Sequence, residues 1–201
     1  MKIAVLVSGS GTNLQTLIEQ LHQDETSGIE IAVVISDRRK AYALTRAKRA
    51  SIPTHVVKTQ DFENRVDFDA KISSLIDDYA VELIVLAGFM KLFQPPFVQK
   101  YQNRIINVHP ALLPAFPGAH PIADTLAYGV KITGVTVHFV DEDVDTGPII
   151  AQSVVPVLDT DDQERLHNRI QVEEHKLYPE VIKWYAQGRL KVEGRKVIVK
   201  P

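Results

Sequence analysis

Apolar, strand-like runs alternate with helix-like stretches through the first 88 residues, and this alternation constrains the fold more than any other feature. Runs rich in β-branched residues lie at 3–7, 29–35, 53–57 and 82–88. Helical patterns lie between them at 14–18, 41–50 and 61–79, the last with an Asp61 cap. This rhythm predicts a doubly wound, mostly parallel α/β sheet of the Rossmann-like kind, which binds ligands outside the carboxyl ends of its strands.

The sequence pattern in the second half of the chain predicts antiparallel strands. Residues 133–140 alternate between apolar and polar side chains, and 148–157 supply a partner, so we expect antiparallel strands near the C-terminus. A long helix is predicted from about 162 to 187, and 190–199 predict a terminal hairpin. The proline-rich residues 110–121 cannot continue a helix or a central strand, and they predict a stiffened surface loop.

Composition predicts one domain and excludes several kinds of function. A length of 201 residues, 45% hydrophobic and 24% charged, with no repeat or linker, suits one well-filled core. The net charge of -2 argues against a broad basic surface for nucleic acid, and the basic residues between 38 and 49 are interpreted as a solvated face. Because the chain has no cysteine, disulfides, thiolate metal sites and cysteine nucleophiles are excluded. The N-terminal apolar run is too short for a signal peptide, so we expect a cytoplasmic protein.

Residues 8–13, Ser-Gly-Ser-Gly-Thr-Asn, stand between the first strand and the first helix. In such a turn, free backbone N–H groups and the helix dipole converge on one point, which favours a phosphate. The alternative is a tight turn without a ligand. Ser8 and Ser10 lack the sequence context of a hydrolase nucleophile, so we interpret them as turn residues.

Asn107 and His109 lie one residue apart at a predicted strand end, so their side chains point to the same side. Asp145 follows in an acidic, glycine-containing loop. An imidazole can take and return a proton, a neighbouring carboxylate raises its pKa, and an amide can stabilise an oxyanion. Together they suit acyl transfer to an amine. The alternatives are a structural histidine before Pro110 and a solvated acidic turn; His138 is interpreted as a packed or surface histidine.

Five segments in order resemble the folate-dependent phosphoribosylglycinamide formyltransferase family. They are residues 8–15, 86–90, 106–114, 141–148 and 171–179. The resemblance covers essentially the whole chain. It implies that 10-formyltetrahydrofolate, as co-substrate and without a metal, donates a formyl group to the amine of 5'-phosphoribosylglycinamide in de novo purine biosynthesis.

The same resemblance implies roles for particular residues. It makes His109 the proton-transfer catalyst, Asn107 the partner of the formyl oxygen, and Asp145 the group that raises the imidazole pKa and orders water. The implied contacts to the phosphorylated amine are Gly11, Thr12, Asn13, Gln171 and Glu174. The implied folate contacts are Arg65, Met90, Lys91, Leu92, Phe93, Asn107, Asp141, Val144 and Asp145, with Lys91 standing where the family often has arginine.

The implied organisation is a single formyltransferase domain over 1–201. Its phosphate-binding part covers about 1–105, and its catalytic and folate-binding part about 106–201. The expected partners are small molecules, with no nucleic acid and no membrane, and the expected state is a monomer or homodimer. The alternatives are a formyltetrahydrofolate hydrolase, another formyltransferase, or a non-catalytic folate- or nucleotide-binding module.

Overall fold

Six α-helices and a mixed sheet of nine strands make up the fold of residues 1–201 in this computed structural model. The predicted α/β class, mostly parallel at first and antiparallel near the C-terminus, is confirmed. The chain divides into two compact units, Met1–Ile106 and Asn107–Pro201. None of the helices is both long enough and apolar enough to cross a membrane.

The first unit is the parallel part of the fold. Its strands are β1 (Lys2–Val7), β2 (Glu30–Ser36), β3 (Thr54–Val56) and β4 (Leu83–Leu86). They lie in the order β3-β2-β1-β4, and every neighbouring pair is parallel. The apolar residues of β1 from Ile3 to Val7 are completely buried, as expected for a parallel strand covered on both faces. Its helices are α1 (Thr12–Leu17), α2 (Tyr42–Arg49), α3 (Arg65–Asp78) and α4 (Pro95–Lys100).

Two helices of the first unit differ from the prediction. The start predicted for α3 at Asp61 is wrong, because Asn64 is the cap: its side-chain oxygen accepts a 3.0 Å hydrogen bond from the N–H of Asp67. The prediction contained no helix at α4. Pro95 opens that helix, at a position where proline has no hydrogen bond to lose.

The second unit carries the antiparallel strands. After β5 (Ile105–His109), which crosses the division between the units, come α5 (Pro121–Tyr128), β6 (Ile132–Phe139), β7 (Ile149–Pro156), α6 (Gln163–Ala186), β8 (Leu190–Glu193) and β9 (Lys196–Val199). The predicted pairing of β6 with β7 and the terminal hairpin β8–β9 are both confirmed as antiparallel. The predicted proline-rich loop ends at Pro121, which begins the unpredicted helix α5.

Gly134 marks a close backbone approach between β6 and β7. A Cβ atom there would lie 2.0 Å from the carbonyl oxygen of Ser153 and 2.7 Å from the Leu112 side chain. We therefore expect Gly134→Ala to lower the free energy of unfolding by about 1–3 kcal/mol, because backbone must move to admit the methyl group. Chemical denaturation measures this loss. Gly9→Ala is the matched control, since nothing lies within 4 Å of its Cβ position, and an equal loss in both variants would contradict the account.

Candidate active site

Ser8 follows β1 directly and fixes the glycine turn to the residues that follow β4. Its N–H donates to the carbonyl oxygen of Gly88 at 3.1 Å, and its hydroxyl accepts from the N–H of Met90 at 2.9 Å. Ser8 and Gly88 therefore lie at the same edge of the first unit's strands, as predicted. The hydroxyl of Ser8 is occupied in turn structure, in agreement with its interpretation as a turn residue.

Helix α2 packs closely against the same turn. Gly11 has a φ of +74°, and a Cβ atom there would lie 2.5 Å from that of Ala43. The N–H of Ala43 also donates to the carbonyl oxygen of Gly9 at 3.2 Å. Gly11 is therefore required both for its left-handed backbone and for the space it leaves, and Thr12 and Asn13 open α1 immediately after it.

Arg46 of α2 forms hydrogen bonds with the turn and with the start of α1. Its Nε donates to the carbonyl oxygen of Ser10 at 2.9 Å, and its Nη1 donates to the side chain of Gln15 at 3.1 Å. The sequence interpretation placed Arg46 on a solvated face, and this was incomplete because the residue is only half-exposed and bonded to the turn. No pattern in the sequence signals a side chain that bonds to a distant backbone carbonyl.

In the segment after Gly88, some apolar side chains are exposed to solvent and others are buried. Met90 and Leu92 are 61% and 63% exposed, while Phe93 is buried and stacks on Phe97 with ring centroids 4.0 Å apart. Arg65, the first residue of α3, donates a hydrogen bond to the carbonyl oxygen of Leu92. Four of the predicted folate-binding residues thus lie together in the first unit.

The side chain of Lys91 lies near a buried carboxylate. Its Nζ lies 3.9 Å from Oδ2 of Asp37, a carboxylate whose side chain is 2% exposed. Nε of Arg38 lies 3.8 Å from the same oxygen. The ammonium of Lys91 is therefore held beside the end of β2.

Asn107, His109 and Asp145 come together in the second unit. Nδ1 of His109 lies 3.3 Å from Oδ2 of Asp145, and Nδ2 of Asn107 lies 3.5 Å from Oδ1 of the same carboxylate. The predicted proximity of His109 to Asp145, far apart in sequence, is thus observed. Both β5 side chains reach one carboxylate, which agrees with their predicted common side.

The loop between β6 and β7 holds Asp145 in place. Asp145 has a φ of +56°, and its Oδ2 accepts from the N–H of Gly118 at 2.8 Å. The Thr146 hydroxyl donates to Asp141 at 2.6 Å, and the Thr146 carbonyl oxygen accepts from Arg195 at 2.7 Å. The predicted folate residues Asp141 and Val144 belong to this loop, and Val144 is 42% exposed.

Burial decides the pKa of His109. It lowers the pKa below the ordinary value of 6.5 and outweighs the opposite effects of the Asp145 carboxylate and the Phe116 carbonyl. The predicted upward effect of Asp145 on this pKa is present, but burial of the ring, which cannot be read from the sequence, reverses the net direction. Nε2 of His109 lies 2.8 Å from the Phe116 carbonyl oxygen, so both ring nitrogens face oxygen acceptors. A proton on either ring nitrogen therefore faces an oxygen that can accept a hydrogen bond.

Asp145 remains ionised in this environment. Burial by itself raises its pKa, but the contacts with His138 and with the N–H of Gly118, together with the nearby His109, bring it below its ordinary value. The cluster therefore combines a carboxylate with an imidazole that is neutral near pH 7. This pair can accept a proton and return it.

His138 of β6 is a fourth member of the cluster that the sequence interpretation missed. The side chain is 2% exposed, and Nε2 lies 3.2 Å from Nδ2 of Asn107 and 3.6 Å from Oδ1 of Asp145. Its Nδ1 lies 2.9 Å from the carbonyl oxygen of Phe139. The available signal was a histidine flanked by Val137, Phe139 and Val140, since an imidazole buried among apolar residues requires partners.

Gln171 and Glu174 lie one turn apart on α6, as the prediction places them. Glu174 is buried and Gln171 is half-buried. The structure contains no group of three or more histidine, aspartate or glutamate side chains arranged to hold a metal ion.

The α/β fold and this cluster agree with what comparison with known proteins shows. The family model described as formyl transferase matches residues 1–182. The chain therefore belongs to the formyl transferase family, and the protein is a formyl-transferring enzyme. The family resemblance stated from the sequence is confirmed.

The most similar relatives define the family more closely. Phosphoribosylglycinamide formyltransferase of Haemophilus influenzae is 43% identical over 96% of this chain and 90% of its own length. The Escherichia coli protein of the same name is 41% identical, with the same coverage of both chains. The crystal structure of glycinamide ribonucleotide transformylase 1 from Symbiobacterium toebii superposes with a TM-score of 0.97 at 46% identity, covering 100% of this chain and 94% of that one.

Proposed function

We propose that this enzyme transfers the formyl group of 10-formyltetrahydrofolate to the amine of 5'-phosphoribosylglycinamide, giving formylglycinamide ribonucleotide and tetrahydrofolate in cytoplasmic purine biosynthesis. The observation that carries the proposal is the buried pairing of His109 with Asp145 at 3.3 Å, with Asn107 bonded to the same carboxylate. The relatives named phosphoribosylglycinamide formyltransferase, more than 40% identical over nearly the whole chain, support this choice of substrates.

The reaction requires one bond to form, one to break and one proton to move. The amine nitrogen attacks the formyl carbon, and the carbonyl oxygen becomes an oxyanion that an N–H of Asn107 stabilises. His109, neutral before the reaction, takes the proton from the attacking nitrogen and returns it to N10 of the folate as the carbon–N10 bond breaks. Asp145 stabilises the imidazolium and orders water for the relay. No covalent enzyme intermediate is needed.

The proposal assigns separate residues to each of the two ligands. Gly11, Thr12 and Asn13 bind the substrate phosphate, and Gln171 and Glu174 bind its ribosyl and glycinamide parts. The folate is assigned to Arg65, to Met90 through Phe93, and to Asp141, Val144 and Asp145. Met90 and Leu92 offer exposed apolar surface for a flat ring, and Val144 is also exposed.

The phosphate assignment predicts a specific kinetic defect. We expect Thr12→Val and Asn13→Ala each to raise the KM for the phosphorylated amine about 10-fold or more with little change in kcat, because the phosphate is distant from the reacting bond. Thr45→Val, an exposed change on α2, is the matched control. Steady-state kinetics and the binding of an unphosphorylated analogue provide the test. An analogue that binds as tightly as the phosphorylated substrate would contradict the role of the turn.

A turnover assay tests the whole proposal. Purified enzyme is mixed with 10-formyltetrahydrofolate, and tetrahydrofolate release is followed with and without 5'-phosphoribosylglycinamide. We expect release that depends on the amine. Release without the amine would instead identify a formyltetrahydrofolate hydrolase, and binding without release would identify a non-catalytic folate-binding module.

A further inference from the structure

One tautomer of His138 satisfies both of the groups within hydrogen-bonding distance of its ring, the Phe139 carbonyl and the Asn107 amide. The Phe139 carbonyl oxygen, 2.9 Å from Nδ1, can only accept, so the ring proton resides on Nδ1. Nε2 is then an acceptor, and Nδ2 of Asn107, 3.2 Å away, is the donor it faces. The side chain is 2% exposed, which leaves the ring few other partners.

This arrangement also fixes which end of the Asn107 amide faces the cluster. Oδ1 of Asp145 and Nε2 of His138 both accept, so the NH2 group of Asn107, rather than its oxygen, must point at them. The reversed amide would place its oxygen against a carboxylate oxygen and a nitrogen lone pair. Both contacts would be repulsive.

The geometry leaves one N–H of Asn107 outside this interaction. The distances among Nδ2 of Asn107, Nε2 of His138 and Oδ1 of Asp145 are 3.2, 3.5 and 3.6 Å. By the law of cosines they give an angle of about 65° at Nδ2, and the two hydrogens of a planar NH2 group diverge by far more than this. One N–H can therefore serve both acceptors, and the other then points away from them.

We propose that His138 is a positioning residue that, with Asp145, holds one N–H of Asn107 so that the second N–H is directed at the formyl oxygen. The inference rests on the proposed formyl transfer. Asn107 and Asp145 are the partly exposed members of the cluster, whereas His138 is buried beside them. Without the acceptor at Nε2, the amide rotates more freely and its free N–H is no longer preorganised for the developing oxyanion.

Two substitutions of His138 distinguish a positioning role from a role in packing alone. In His138→Asn, the side chain can still donate to the Phe139 carbonyl but is too short to accept from Asn107. In His138→Gln, the side chain can place an oxygen near the position of Nε2. We expect His138→Asn to lower kcat about 10- to 100-fold with the KM for the phosphorylated amine nearly unchanged, and His138→Gln to recover most of that loss. His55→Asn, which removes a partly buried histidine bonded to Tyr79, should leave kcat unchanged.

A double-mutant cycle completes the test. If His138 acts through Asn107, then His138→Asn in an Asn107→Ala background should change kcat by less than about twofold. Equal losses in both backgrounds, equal losses in the Asn and Gln variants, or no loss at all would overturn the inference while the parent enzyme still showed amine-dependent turnover. A parent enzyme without that turnover would overturn the proposed function itself.

Discussion

We expect His109→Asn to lower kcat by about 100-fold or more and to leave the fold intact. Asparagine can keep a hydrogen bond toward Asp145, but it cannot take and return a proton near neutral pH, and general acid–base catalysis supplies about 100- to 10,000-fold in rate. Single-turnover kinetics would measure the loss directly. Chemical denaturation would show whether the variant remains folded.

Exposed His167 on α6 provides the control for His109. We expect His167→Asn to leave kcat within about twofold of the parent, because that side chain lies on the surface of the helix. Near-normal turnover in His109→Asn would remove His109 from the mechanism. A loss of similar size in both histidine variants would show that the effect is not specific to the cluster.

Asp145→Asn is expected to lower kcat by a similar factor and also to move the pH dependence. The parent pKa of His109 already lies below 6.5, so the acid limb of kcat/KM should lie below that pH. The carboxylate is one of the groups that raise this pKa, so its removal should lower it further. The acid limb therefore shifts to lower pH while the plateau falls.

A pH–rate profile from about pH 5 to 8 measures both changes in Asp145→Asn. The asparagine retains the size of the aspartate and can still accept from the N–H of Gly118, so the loop should keep its position. Asp143→Asn serves as the control, since that carboxylate belongs to the same loop but is exposed to solvent. An acid limb that moved to higher pH would contradict the electrostatic role assigned to Asp145.

The strands β1, β2 and β4 were predictable because their side chains are apolar on both faces, which identifies buried parallel strands without any tertiary knowledge. The helices α4 and α5 were not predicted. Both begin at prolines, Pro95 and Pro121, and a proline indicates a break unless the first turn of the helix is already known. The Asn64 cap was missed for a similar local reason, because Asp61 is an equally good capping residue.

Part of the site could be predicted and part could not. The proximity of His109 and Asp145 followed from the order of the motifs, and the structure places them 3.3 Å apart. The contacts of Arg46 and His138 depend on tertiary packing, in one case with a backbone carbonyl and in the other with side chains of a different strand and a loop. The pKa of His109 depends on how deeply the ring is buried, which no spacing of residues reveals.

The fate of the formyl group tests the central claim most directly. The enzyme is mixed with 10-formyltetrahydrofolate labelled in its formyl carbon and with 5'-phosphoribosylglycinamide, and the labelled products are separated. We predict that the label appears in formylglycinamide ribonucleotide in step with tetrahydrofolate release, and that His109→Asn abolishes both. Label recovered as free formate at the same rate with and without the amine would contradict formyl transfer.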